Sequence, residues 1–296
     1  MALRRFYRLA RKSVEAWFDD YAASMGAAIA YYTVFSIAPL LIIVIAVAGA
    51  VFGREAVEGE IVGQIAGLIG TETAMGVQGL IRSASQPTSG VLATVISLGL
   101  LLIGSTSVFA ELQAALDRIW RVPVAARRAG LWLTLRARLL SFGLILGLAF
   151  LMMVSLVISA LVAAFAKWAQ DMIPAAEIVL QTINIGISLS TSCVLFAMIY
   201  KFMPQAKIAW RDVWIGAVVT AVLFEVGKFA IGLYLGKSGM TSAYAAAGSM
   251  VVLLIWVYYS AQIFLLGAEF TWVLASERNA ANAPPMPSEY PNRCPQ

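Results

Sequence analysis

The chain has 296 residues, of which 61% are hydrophobic and 12% are charged, and its formal net charge at pH 7 is +5. Soluble domains contain about 25% charged residues, and disordered chains are also polar, so both classes are excluded. The composition indicates an all-α integral membrane protein, because a bilayer-spanning helix needs about 20 predominantly apolar residues.

The N-terminal segment, residues 1–24, is predicted to form a basic amphipathic helix in the cytoplasm. Apolar side chains recur at helical spacing between Leu3 and Tyr21, and five Arg and Lys residues lie largely on the other faces. This pattern is typical of a helix that lies on anionic headgroups. The alternative is a charged flank without lipid preference.

Six membrane spans are predicted within residues 25–275, at the apolar runs of the chain. They cover about residues 27–52, 91–110, 139–165, 178–200, 213–235 and 249–274. Residues 54–90, between the first two spans, are too polar to cross the membrane. Their apolar positions recur at helical spacing, which predicts one or two amphipathic helices at the outer interface. These positions are Val57, Ile61, Ile65 and Leu68.

The polar segment from residue 276 to residue 296 contains five prolines, which predicts a disordered cytoplasmic tail. Sixteen of the 21 Lys and Arg residues lie in residues 1–24, 111–139 and 201–211 and in this tail. The positive-inside rule therefore places both termini in the cytoplasm. The positive net charge reflects membrane topology, and no nucleic-acid partner is expected.

Glu225 and Lys228 are charged residues inside the fifth predicted span. Glu225 lies 13 residues beyond Asp212, or about 20 Å along a helix. A charge at that depth costs on the order of 3 kcal/mol, so we do not expect it to face lipid. The spacing lets the two side chains meet on one helix face. Two interpretations are open: a structural pair that neutralises itself, or a pair that lines a polar cavity.

Two further groups are candidates for a substrate pathway. Glu269 lies near the inner end of the sixth span, where an arginine from residues 111–139 could neutralise it; a structural anchor and a pathway group are both open. Pro39 is predicted to kink the first span close to Tyr31 and Ser36. Kinked helices often flank transporter sites, and a static kink for packing is the alternative.

Small and hydroxyl-bearing residues predict close contacts between helices. Asn184, Ser188, Ser190, Thr191 and Ser192 in the fourth span are expected to form hydrogen bonds between helices. Glycine pairs at helical spacing are expected to permit close approach. These pairs are Gly49/Gly53, Gly143/Gly147 and Gly232/Gly236.

The chain contains no histidine, which excludes Ser-His-Asp and Cys-His hydrolase sites and histidine-ligated metals. Its two cysteines, Cys193 in an apolar run and Cys294 in the polar tail, are not expected to pair or to bind zinc. We therefore expect no enzyme: no catalytic residue, no metal and no cofactor.

Residues 27–41, with the sequence AAIAYYTVFSIAPLL, resemble the first-span signature of the YihY/BrkB family. Further similar motifs follow in order up to about residue 275. They are Ile119-Trp120-Arg121, Tyr200-Lys201-Phe202-Met203-Pro204, Ala247-Gly248-Ser249, Trp256-Val257-Tyr258-Tyr259 and Gly267-Ala268-Glu269. The resemblance implies a bacterial inner-membrane protein with six spans. Members have been called ribonuclease BN, serum-resistance factors and exporters of lipid A precursors.

The residues favour translocation among these roles. A ribonuclease needs positioned acid-base or metal groups, and the cytoplasmic acids Glu111, Asp117 and Asp212 form no evident cluster. We expect a six-helix bundle around a polar or amphiphilic cavity that moves an amphiphilic or anionic substrate, such as an envelope lipid precursor. Its partners would be membrane lipids. The alternative is a non-transporting scaffold for envelope biogenesis. The pathway candidates are Glu225, Lys228, Glu269, Tyr31, Ser36 and Pro39.

Overall fold

The structure, a computed structural model, describes residues 2–84, 107–123, 143, 147, 176–238 and 248–282. Within these ranges the regular structure is entirely helical. The helices are α1 (Ala2–Asp19), α2 (Ala22–Phe52), α3 (Arg54–Ile69), α4 (Thr71–Ala84), α5 (residues 107–119), α6 (Ala176–Phe202), α7 (Trp210–Ser238) and α8 (Gly248–Asn282).

Four of these helices are long and apolar enough to cross a membrane. The crossing segments are Ala22–Ala46 of α2, Ile185–Phe202 of α6, Trp210–Ile231 of α7 and Met250–Ala280 of α8. They match the first, fourth, fifth and sixth predicted spans. The predicted spans at 91–110 and 139–165 lie almost wholly outside the described residues, so the total of six stays a prediction.

The core of the bundle lies where α2, α5, α6, α7 and α8 meet. Helix α8 packs against α1, α2, α4 and α7, and α6 packs against α7. Tyr200, Leu116 and Leu265 are fully buried at this centre. Large apolar side chains such as Phe229 and Val226 remain exposed on the outside, as expected for helices that face lipid. Helix α5 continues to residue 119, beyond the predicted span end at 110, because Leu116 and Ile119 are buried in this core.

Residues 54–84 form two helices, as predicted, and their position at the outer interface stays a prediction. Gly53 and Gly70 separate α2, α3 and α4, and both have a φ of +89°, a backbone conformation that favours glycine. The apolar faces of α3 and α4 cover the ends of α2 and α8 that lie away from α1. This contact joins Ile45, Val57, Ile61, Ile65, Val77, Ile81 and Leu253.

Helix α1 forms within the predicted segment 1–24 but ends at Asp19, and it packs its apolar face on α8. Leu9 and Ala16 are buried against Phe270, Val273 and Leu274 of α8. The basic residues of α1 are left on its exposed faces. The amphipathic pattern of α1 therefore serves contact with the bundle as well as any contact with headgroups.

The end of the last helix differs from the prediction. The sequence places the end of the span at residue 274 and a disordered tail from 276, whereas α8 continues to Asn282. The extension is stabilised because Glu277 forms ion pairs with Lys12 (2.7 Å) and Arg8 (3.8 Å) of α1. The first proline of the tail comes only after this helix end. Residues 283–296 lie outside the described residues.

Candidate functional site

The predicted pair in α7 meets on one helix face and is joined by a side chain from α6. Lys228 Nζ lies 2.7 Å from Glu225 Oε2 and donates a hydrogen bond to Oε1 at 2.8 Å. Ser188 Oγ donates to Glu225 Oε1 at 2.9 Å and accepts from Lys228 Nζ at 3.4 Å. The expected hydrogen bond between helices at Ser188 is thereby confirmed. We call these three residues the α6–α7 polar cluster.

Aromatic rings adjoin the α6–α7 polar cluster on its protein side. The Lys228 ammonium lies 5.8 Å from the ring centre of Phe224. Phe224 in turn packs edge-on against Phe196 of α6 (5.5 Å) and Trp256 of α8 (6.3 Å). The side chains of Glu225 and Lys228 are each 24% exposed. The cluster is therefore neutral overall, held by apolar rings and open on one side.

Glu269 belongs to a different group of charges, near the junction of α1 and α2. Its side chain is 0% exposed, and among the described residues neither carboxylate oxygen has a hydrogen-bond donor. Its charged neighbours include Asp20 and Arg121. The arginine expected from residues 111–139 is thus present, but its ion pair is with Asp20, at 3.1 Å between Nη2 and Oδ2.

The backbone at this second group is unusual. Tyr21 (φ 56°) and Arg121 (φ 53°) are the non-glycine residues with positive φ in the described ranges. Such conformations are costly and often occur at functional sites. The Arg121 guanidinium also lies 5.2 Å from the ring centre of Trp272 on α8. The ion pair of Asp20 and Arg121 therefore fastens the α1–α2 turn to the end of α5, beside a buried acid.

The remaining candidates, Tyr31, Ser36 and Pro39, lie on α2. The ring of Tyr31 packs against Tyr32 (5.6 Å) and Phe35 (4.8 Å) of its own helix, and Tyr31 is 57% exposed. Ser36 is buried. Pro39 lies inside α2 without ending it, and the kink stays a prediction.

A contact that sequence reasoning missed joins α7 to α8. Gly216 faces Thr271, and Gly267 faces Thr220, so closely that a Cβ on either glycine would collide with the threonine Oγ1. Each threonine Oγ1 donates to the glycine carbonyl on its own helix, Thr220 to Gly216 at 2.8 Å and Thr271 to Gly267 at 2.7 Å. The hydroxyl oxygen of Tyr200 on α6 lies 3.1 Å from Thr220 Oγ1, so a third helix adjoins this contact.

The signal for this contact is present in the sequence. The pattern Gly-Ala-x-x-Thr occurs once in each helix, at residues 216–220 and 267–271. Such small residues let helix backbones approach, and the reciprocal arrangement holds α7 at a fixed position on α8. Glu225 and Lys228 of the α6–α7 polar cluster lie farther along α7. The α7–α8 contact therefore helps to position the cluster relative to α8. Within the described ranges, no group of three or more acidic or cysteine side chains could hold a metal ion.

Curated relatives of the chain are bacterial membrane proteins. A protein of Ralstonia nicotianae, UPF0761 membrane protein RSc1559, is 27% identical over 260 residues, 84% of this chain and 55% of that protein. A UPF0761 membrane protein of Pseudomonas aeruginosa is 26% identical over 271 residues, 91% of this chain and 63% of the relative. A third, from Stenotrophomonas maltophilia, is 30% identical, with 88% and 59% covered.

The chain spans about three fifths of the length of these relatives. No solved structure matches it. The family described as Virulence factor BrkB matches residues 14–290, which confirms the resemblance carried by the first-span signature. The chain therefore belongs to the BrkB family of membrane proteins.

Proposed function

We propose that the chain is a transporter of the bacterial inner membrane that moves an amphiphilic, anionic substrate, such as an envelope lipid precursor. The observation that carries the proposal is the α6–α7 polar cluster, in which two charged side chains lie within a membrane-crossing segment and are partly exposed. Both termini lie in the cytoplasm in this proposal, because 16 of the 21 Lys and Arg residues lie in residues 1–24, 111–139 and 201–211 and in the tail.

The cost of charge within a bilayer supports this proposal. A charged side chain that faces lipid at mid-depth costs on the order of 3 kcal/mol. Contact of the exposed side of Glu225 and Lys228 with a polar group is therefore more favourable than contact with lipid. A substrate headgroup supplies that polar group, because an anionic group can take the place of the Glu225 carboxylate on Lys228. Ser188 then keeps a hydrogen bond to the released carboxylate.

Glu269 is the group that we propose for a coupling proton. Glu269 has no hydrogen-bond donor among the described residues, and a buried carboxyl in that environment favours its neutral form. It lies beside the acid Asp20. Release of that proton would leave two negative charges beside Arg121. Arg121 would then interact with both Asp20 and Glu269. Proton release would thereby change the contact of α2, α5 and α8.

The experiment removes both charges of the cluster together. Glu225→Gln alone leaves an unpaired ammonium, which should lower the stability by about 1–3 kcal/mol. Glu225→Gln with Lys228→Met should restore it. The assay uses proteoliposomes that contain phosphatidylglycerol with a fluorescent headgroup label. Dithionite does not cross the bilayer, so it reduces a label of the inner leaflet only after that lipid has moved to the outer leaflet. We expect the wild type to move the probe and the double variant to fold without moving it.

A matched control removes another ion pair, Glu58 with Arg82 (3.7 Å), which lies on α3 and α4. Glu58→Gln with Arg82→Met should leave probe movement unchanged. Full movement by the Glu225 and Lys228 double variant would contradict a pathway role for the pair. No movement by the wild type, with and without a pH gradient, would favour the scaffold over the transporter.

A further inference from the structure

A groove of about 540 Å³ lies between α1, α7 and α8, away from the α6–α7 polar cluster. Three arginines line it, one from each helix: Arg5, Arg211 and Arg278. The rest of the lining is apolar and includes Phe6, Ile215 and Phe270. Ile215 and Glu225 are ten residues apart on α7, or about 15 Å along the helix, so the groove is a separate feature.

The charges of the groove favour an anion. Arg278 is engaged by Asp212, at 2.6 Å between Nη1 and Oδ1, so its charge is balanced. Arg5 and Arg211 form no ion pair within 4 Å in the part of the chain that the structure describes, although Glu277 lies near enough to Arg5 for a weak attraction. The guanidinium fork matches the oxygens of a phosphate group, which it can bind with two hydrogen bonds.

The apolar part of the groove favours a lipid over a free anion. Phe6 is 52% exposed and Ile215 is 38% exposed, so both offer open apolar surface beside the arginines. Arg211 lies at the start of the crossing segment of α7, and Arg278 near the end of that of α8. The groove therefore lies at the membrane boundary, where headgroups and the first carbons of the acyl chains meet.

We propose that this groove is a binding site for one anionic phospholipid of the adjoining leaflet. Arg5 and Arg211 bind the phosphate, and an acyl chain lies against Phe6, Ile215 and Phe270. The lipid would then join α1 to α7 and α8 and fix the N-terminal helix on the bundle. This site is independent of the proposed transport role, since none of its residues belongs to the α6–α7 polar cluster.

The test is native mass spectrometry of the full-length protein, titrated in detergent with phosphatidylglycerol or with phosphatidylcholine. We expect the wild type to bind one phosphatidylglycerol in preference to phosphatidylcholine. Arg5→Gln with Arg211→Gln should weaken phosphatidylglycerol binding by on the order of tenfold. The matched control, Arg4→Gln with Lys207→Gln, removes the same charge from exposed positions outside the groove and should bind as the wild type does.

A second variant keeps every charge. Ile215→Trp fills the apolar part of the groove, and it should weaken phosphatidylglycerol binding while the melting temperature without lipid stays close to that of the wild type. Equal weakening in the Arg4 and Lys207 control would overturn the proposal, because surface charge alone would then explain binding. Unchanged binding by Ile215→Trp, or displacement of the lipid by soluble glycerol phosphate at similar concentration, would also overturn it.

Discussion

Gly216 and Gly267 let two membrane helices meet because each has only a hydrogen where other residues have a methyl group. A Cβ on Gly267 would lie 2.7 Å from the Tyr200 hydroxyl oxygen, and one on Gly216 would lie 2.8 Å from Thr271 Cβ. Both positions are buried, so the neighbouring side chains have little room to move. The hydroxyl of Thr220 is held by the Gly216 carbonyl, which limits its freedom further.

Gly267→Ala and Gly216→Ala should each destabilise the protein by about 1–3 kcal/mol, because overpacking a close helix contact forces side chains or backbone to shift. Thermal unfolding in detergent should show a melting temperature lowered by several degrees. Gly63→Ala on α3 is the control, since nothing lies within 4 Å of its added Cβ. That change should leave stability unchanged or raise it by about 0.5–1 kcal/mol. A normal melting temperature for Gly267→Ala would contradict the contact.

Residue pairs that are close in sequence could be predicted, and those that are distant could not. The contact of Glu225 with Lys228 follows from helical spacing alone. The ion pair of Asp20 with Arg121 depends on how α5 docks against the α1–α2 turn, which no local pattern specifies. For the same reason, the sequence indicated an arginine near Glu269 but not that Asp20 would bind it.

Helix α1 and the end of α8 stabilise one another at the level of the elements. Glu277 of α8 joins the two helices, because it forms ion pairs with both Lys12 and Arg8 of α1. Apolar periodicity was sufficient to predict α1, α3 and α4, and the apolar run was sufficient to predict α8. The length of α8 was not predictable, because the polar, proline-rich composition of residues 276–296 does not reveal that Glu277 has partners on another helix.

Glu277→Gln should loosen α1 from α8 by up to about 1 kcal/mol, the usual upper value for a partly exposed ion pair. Hydrogen exchange followed by mass spectrometry should then show up to about fivefold faster exchange of the α1 backbone. The comparison is Glu15→Gln, which removes an ion pair made within α1, with Arg11 at 2.7 Å. Its effect on the contact with α8 should be negligible. Equally faster hydrogen exchange in both variants would indicate fraying of α1 rather than loss of the ion pairs between Glu277 and α1.

At the scale of the whole molecule, the charge distribution predicts the orientation of the bundle. Helices α3 and α4 lie at the opposite end from α1, as their contacts with α2 and α8 require. The positive-inside rule places α1 and the segment after α5 in the cytoplasm. Composition and hydropathy were sufficient to predict the helical class and the four crossing segments in the described ranges, because the bilayer restricts the chain to apolar helices of a given length.

Single cysteines at Gly63 and at Pro123, in a chain whose own two cysteines are replaced by serine, test this orientation. Both positions are exposed, and Pro123 lies beyond the end of α5. In intact cells, a membrane-impermeant maleimide should label the Gly63→Cys variant and leave the Pro123→Cys variant unlabelled until the membrane is opened. Labelling of Pro123→Cys in intact cells would reverse the predicted topology.

Helix α8, which packs against α1, α2, α4 and α7, is translated after the seven other described helices. Ribosomes add about 5–20 residues per second, so on the order of 10–50 s separate the synthesis of α2 from that of α8. Tyr200 of α6 precedes Phe264 of α8 by 64 residues, so for about 3–13 s of that interval the Tyr200 hydroxyl lacks the Phe264 carbonyl that accepts its hydrogen bond at 2.7 Å. The earlier spans are therefore in the bilayer before the Tyr200 hydroxyl has this hydrogen-bond acceptor. Assembly of this core is consequently a late step in biogenesis, and a chain stalled before residue 248 should be a ready substrate for membrane quality-control proteases.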